Sequence, residues 1–190
     1  EGLNVIPAAS GVKALASLDE RSSTGLIQGF SELSENMDVM LIDTPAGISE
    51  SVISFLRAAQ EIIVVVCDEP TSITDAYALM KLMSTDYRVK HFKILANKVS
   101  DNHCGRDLYA KLVKVSDEFL DINLQYLGAV VREDCVRESV QQQVPFVLSY
   151  PKAKASLAIE SLAKTIIQWP VPALPSGDIE FFLERLLINS

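Results

Sequence analysis

Four apolar positions in a row, Val39-Met40-Leu41-Ile42, run directly into Asp43 and then into Thr44-Pro45-Ala46-Gly47. An unbroken apolar run predicts a strand buried on both faces, as in a parallel sheet. Ile62-Ile63-Val64-Val65-Val66-Cys67 has the same character and stops at Asp68-Glu69-Pro70. Phe92-Lys93-Ile94-Leu95-Ala96 predicts a third strand, which delivers Asn97 to the same edge, and Leu124 to Val131 a fourth. A short strand, Leu3-Asn4-Val5-Ile6, precedes them and ends at Pro7.

Between these runs the apolar spacing changes to three and four, the period of a helix with one buried stripe. Leu26, Ile27, Phe30 and Leu33 mark a helix within 25–33, and Val52, Ile53, Leu56 and Ala59 one over 49–59. A third starts at Thr71-Ser72-Ile73-Thr74-Asp75, with Ser72 and Asp75 at capping-box spacing, and runs to about Met83. Leu108 to Leu120, Val136 to Gln143 and Ser156 to Ile167 complete the set. Strand and helix alternate, which predicts an α/β fold: a mostly parallel sheet flanked by helices.

Composition narrows the class. The chain has 190 residues, 48% hydrophobic and 22% charged, enough for one domain with a true core. The formal net charge of −8 argues against direct nucleic-acid binding carried by the whole surface. No apolar run approaches the roughly 18–20 residues that span a bilayer. Glu1-Gly2-Leu3-Asn4 lacks the basic region of a signal peptide, so a cytoplasmic chain with reduced thiols is expected. Cys67, Cys104 and Cys135 are widely spaced, and neither His91 nor His103 pairs with them at zinc-ligand spacing.

The candidate chemistry sits where strands end. In open α/β sheets ligands bind at the carboxyl edge, and Asp43 closes a predicted strand there. One carboxylate in that place suits Mg²⁺, which keeps most of its waters, and Gly47 lets backbone approach a ligand. Capping of the next helix is the plain structural alternative for Asp43. Asn97 carries an amide that can donate to and accept from a base edge, or can simply form a turn. Arg132, Glu133 and Asp134 follow the fourth strand, as a ligand-lining loop or an ordinary charged one. Asp68 and Glu69 support either a switch or a dimer face, or only solvate a strand end.

The C-terminal stretch reads differently, and the expected division is residues 1–168 as the α/β domain and 169–190 as a separate segment. Trp169-Pro170-Val171-Pro172-Ala173-Leu174-Pro175 predicts an extended piece, and Ile179 to Leu187 an amphipathic helix. Its polar face carries Asp178, Glu180 and Glu184 against a single Arg185, so protein packing is favoured over an anionic membrane.

Several longer stretches carry a family resemblance. They are Val5-Ile6-Pro7-Ala8-Ala9-Ser10-Gly11, Ile42-Asp43-Thr44-Pro45-Ala46-Gly47-Ile48, Arg57-Ala58-Ala59-Gln60-Glu61 and, most specific, Val65 through Leu79. Leu95-Ala96-Asn97, Phe119-Leu120-Asp121, Leu124 to Gly128, Lys154 to Ala158 and Glu180 to Leu186 agree with it. On these residues the chain resembles the MinD/ParA family of deviant-Walker P-loop ATPases, most of all its FlhG/FleN branch, which regulates flagellar number. The resemblance implies ATP or ADP and Mg²⁺ as cofactors. Asp43 would hold the Mg²⁺ through water and Gly47 would sense the γ-phosphate. Asn97 would meet adenine, and Arg132, Glu133 and Asp134 would line its loop.

It further implies an ATP-dependent homodimer acting through a flagellar transcriptional regulator or flagellar assembly proteins, in the cytoplasm, with recruitment to the cell pole or membrane open. Two departures stand out. These residues contain no G-x-x-x-x-G-K-[ST] loop and no aspartate-rich segment after it, so the chain reads as a family member without its N-terminal third. Val131-Arg132 also stand where the family tends to place a proline. Hydrolysis is therefore expected of the full-length form and not of these residues alone. A non-catalytic regulatory or binding module of the same fold is the alternative.

Overall fold

The computed structural model describes residues 3–5 and 38–170. The chain separates into two compact units, Glu1–Gln60 with Ala173–Ser190, and Glu61–Pro172. Leu3 and Val5 of the expected first strand are exposed and lie in no ladder. Ile6, the helix expected within 25–33 and the helix expected over 179–187 lie outside the described residues.

In the first unit, residues 38–60 form an extended segment, an exposed turn and helix α1 (Glu50–Ala58). Ser49 caps α1, its hydroxyl accepting the Val52 N–H at 3.5 Å. Glu50 in the first turn and Arg57 in the last suit the helix dipole. Met40, Ile42 and Phe55 pack on the buried Ala58. The expectation of a strand buried on both faces fails at 39–42. The segment joins no ladder among the described residues, and Val39 and Leu41 are 50% and 79% exposed. Alternate side chains of an extended chain point to opposite sides, and here one side meets α1 while the other meets nothing described.

The second unit runs β1 (Ile63–Cys67), α2 (Pro70–Tyr87), β2 (His91–Val99), α3 (Asn102–Phe119), β3 (Asn123–Val131), α4 (Asp134–Gln142), α5 (Phe146–Ser149) and α6 (Lys154–Ile167). The three strands are parallel in the order β1-β2-β3. Val64, Val66, Phe92, Ile94 and Ala96 are buried together with Met80 and Met83 of α2 and Leu108 and Leu112 of α3. Strand residues of the opposite parity face the other way. There α6 lies on β3, with Val130, Ala155 and Leu162 at the centre and Leu95 and Leu127 around them. Val65 is 53% exposed, so β1 is covered on one face and open on the other, against the expectation of burial on both.

Two glycines set how closely helices approach. A Cβ on Gly105 of α3 would stand 2.7 Å from Ala129 Cβ and 2.8 Å from the Tyr126 hydroxyl oxygen. Only a residue without a side chain lets α3 sit this near the sheet. Gly128, at φ +151°, faces Leu162 of α6 in the same way. At the lower edge, Lys93 pairs with Glu61 at 2.6 Å and lies 4.5 Å from the centroid of the Trp169 ring.

The helix starts differ from those expected. Pro70 occupies the first turn of α2, where its missing N–H costs nothing. Ser72 makes no capping box; its hydroxyl accepts the Cys67 N–H at 3.0 Å and closes the end of β1. Helix α3 starts well before Leu108, at Asn102, because Asp101 caps it by accepting the Cys104 N–H at 2.8 Å.

Candidate functional site

Asp43 lies in the exposed turn that joins the packed Met40 and Ile42 to the N-terminus of α1. The turn is short because Pro45 fixes one backbone angle and Gly47 adopts φ +116°, a region that other residues avoid. A Cβ at Gly47 would meet nothing within 4 Å, so the space beside that backbone is open. A single solvent-facing carboxylate next to an open, glycine-lined backbone fits a hydrated Mg²⁺ and a phosphate oxygen.

The second unit places Asn97, Arg132, Glu133 and Asp134 at one sheet edge. Cys67 is in register with Asn97, and Asn97 with Val130. The ladder shifts between Asn97 and Val99, and Lys98 takes φ +55°. That kink lets Asn97 Oδ1 accept the N–H of Lys98 at 2.9 Å. Because a backbone N–H can only donate, the contact fixes which end of the amide is oxygen. Its NH₂ has no hydrogen bond among the described residues, so the edge offers donors to an acceptor such as a base ring nitrogen.

The Arg132 N–H donates to the Val99 oxygen at 2.9 Å, extending the β2–β3 pairing by one residue. The Arg132 side chain is exposed, and so is Asp134, the first residue of α4. Glu133 between them is half-buried, and its carboxylate accepts the Ala155 N–H at 2.7 Å. Asp68 at the end of β1 pairs with Lys111 at 3.0 Å, with both side chains about half exposed. Such a surface pair contributes about 1 kcal/mol at most. Lys98, given no task from the sequence, is exposed.

Sequence reasoning missed two residues that shape this edge. Ser72 holds the last residue of β1, and Asp101 sets where α3 starts, beside the end of β2. The Cys104 N–H holds the Asp101 carboxyl below the usual carboxylate range. The signal for Asp101 was present as an Asp followed three residues later by its N–H partner. Nothing local signals Ser72, whose partner lies upstream of the helix.

No protein-family model matches the chain. The antiactivator FleN of Pseudomonas aeruginosa is 50% identical to it over 186 residues, which is 98% of this chain and 66% of FleN. The flagellum site-determining protein YlxH of Helicobacter pylori is 26% identical over 98% of this chain and 64% of its own length. The chain thus spans slightly less than two thirds of these relatives. The septum site-determining protein MinD of Pyrococcus horikoshii, solved with Mg-ADP, superposes with a TM-score of 0.61 at 20% identity. That likeness covers 84% of this chain and 61% of MinD, and it shows a MinD-like α/β fold.

Proposed function

The chain belongs to the MinD/ParA-type family, in its FlhG/FleN-like branch, and from this we propose that it is part of an ATP-dependent switch that sets flagellar number. The observation that carries the reading is the 50% identity to FleN across 98% of these residues. Asp43 and Gly47 supply the cation-holding turn, and Asn97 with Arg132 and Asp134 supplies the base-contacting edge. ATP and ADP are the nucleotides, as Mg-ADP is for the MinD relative. The protein works in the cytoplasm as a nucleotide-dependent homodimer that contacts a flagellar transcriptional regulator or flagellar assembly proteins.

When bound, Mg²⁺ supplies positive charge that stabilises the transferring phosphoryl group. Asp43 would hold the hydrated cation through its one carboxylate, which faces solvent in the turn. The Gly47 N–H offers a donor to a phosphate oxygen, and its lack of a side chain keeps that approach clear. Asn97 orients the base through its NH₂ donors while its oxygen stays on the Lys98 N–H.

The test is Asp43→Ala in the full-length protein. Mg²⁺-dependent phosphate release should fall about a hundredfold or more, with an unchanged melting temperature, and flagella per cell should change in a strain carrying only that variant. Unchanged turnover and unchanged flagellar number would overturn the reading.

A further inference from the structure

Glu133 occupies the two-residue connection between β3 and α4, in the middle of the charged triplet that follows the sheet. Its neighbours Arg132 and Asp134 are exposed, but its own carboxylate turns inward and accepts the Ala155 N–H at 2.7 Å. Ala155 is fully buried in the first turn of α6. The N-cap of that helix, Ala153, has no side chain to accept a hydrogen bond. Orphan N–H groups at a helix start need an acceptor, and a buried one left unpaired is destabilising. Glu133 therefore acts as the cap of a helix that starts more than twenty residues further on.

The start of α6 is tied to its surroundings by further bonds. The Ser156 hydroxyl donates to the Tyr150 oxygen at 2.7 Å, and the Ala153 N–H donates to the same oxygen at 3.0 Å. The Tyr150 hydroxyl in turn donates to Glu138 of α4 at 2.9 Å. A closed circuit results, from the β3–α4 connection through α6 and Tyr150 back to α4. The connection is pinned on both sides, at Arg132 by the Val99 oxygen and at Glu133 by α6.

The geometry points to Glu133 as a positioning residue for the base-contacting edge: its carboxylate binds no ligand but locks the 132–134 connection onto the N-terminus of α6. This rests on the adenine site proposed above. The lock needs an acceptor oxygen at that reach and does not need a negative charge. A direct ligand for a base or a cation would have the opposite requirement.

The experiment compares Glu133→Gln, Glu133→Ala and Asn97→Ala in the full-length protein. Affinities for ADP and for inorganic tripolyphosphate are measured, together with hydrogen exchange over residues 153–158. Glu133→Ala should weaken ADP about tenfold, the scale of one ordinary hydrogen bond, leave tripolyphosphate unchanged and speed exchange in the first turn of α6. Glu133→Gln should restore slow exchange and bind ADP within about twofold of the parent. Equal loss with Gln and Ala overturns the positioning role in favour of a charged contact. Selective ADP loss in Asn97→Ala with none in Glu133→Ala removes the role and leaves the adenine site standing. Equal weakening of both ligands, or of neither, by Asn97→Ala removes the site and the role with it. If Glu133→Ala does not fold, Glu133→Gln decides alone: parent-like ADP affinity supports the role and its loss overturns it.

Discussion

The turn that carries Asp43 and the edge that carries Asn97 are built in opposite ways. The turn projects from two packed apolar residues, Met40 and Ile42, and its shape depends on the φ +116° of Gly47. The edge is held at three residues: by strand register at Asn97, by the Val99 oxygen at Arg132 and by Ala155 at Glu133. Preorganised donors lower the ordering cost of binding, whereas a turn with few contacts can change shape when a ligand changes. Under the function proposed above, a base would meet a fixed edge and a phosphate a turn that can move.

The largest expected effect probes the rigid side. Gly105→Val forces atoms into a space where a Cβ alone would stand 2.7 Å from Ala129 and 2.8 Å from the Tyr126 oxygen. Overpacking of this kind costs about 1–3 kcal/mol. Urea unfolding should show that loss. A variant as stable as the parent would mean that α3 moves freely against the sheet, and the contrast would vanish.

Next in size is Asn97→Ala, which sharpens the division of labour between the two ends. A lost hydrogen bond to a base edge should cost about 1–2 kcal/mol of ADP affinity. Tripolyphosphate, which has no base, should bind as before. Isothermal titration with both ligands measures the difference, and equal weakening would make Asn97 purely structural.

Gly47→Ala tests the turn. The new methyl group meets open space, so only backbone strain opposes it, about 1 kcal/mol. Chemical denaturation should register that loss and little more. A much larger drop would reveal that the turn is packed and not merely shaped.

The smallest effect concerns Asp101. The backbone and side-chain hydrogen bonds to Cys104 lower its carboxyl pKa. A folded-state value below the unfolded one adds stability that is complete above the unfolded value and is lost as pH falls through the folded value. The melting-temperature gap between parent and Asp101→Ala should therefore be steady near neutrality and narrow below about pH 4. A gap that widens in acid would contradict the capping role.

The strands of the second unit were legible because short, mostly apolar runs survive the details of packing: 62–67, 92–96 and 124–131 all lie in or overlap observed strands. The run at 39–42 misled because four apolar residues look alike to a periodicity test whether one face is covered or two. Helix α3 was read too short because its first turn, Asn102-His103-Cys104-Gly105, lacks an apolar stripe and owes its shape to a cap and a close approach. Asp43 and Asn97 could be chosen from sequence because each ends an apolar run. Glu133 could not be assigned its task, since a carboxylate committed to a distant N–H has the same sequence signature as one free for a ligand.

The strand order β1-β2-β3 repeats the order of synthesis. Both β2 and β3 pair with the strand that left the ribosome just before them, after a single intervening helix. Among the described strands, growth of the sheet requires no insertion between pairs already made. A chain that extends this way adds each new strand at one edge and never has to open a pair already made, which limits the misassembly to which parallel sheets are prone.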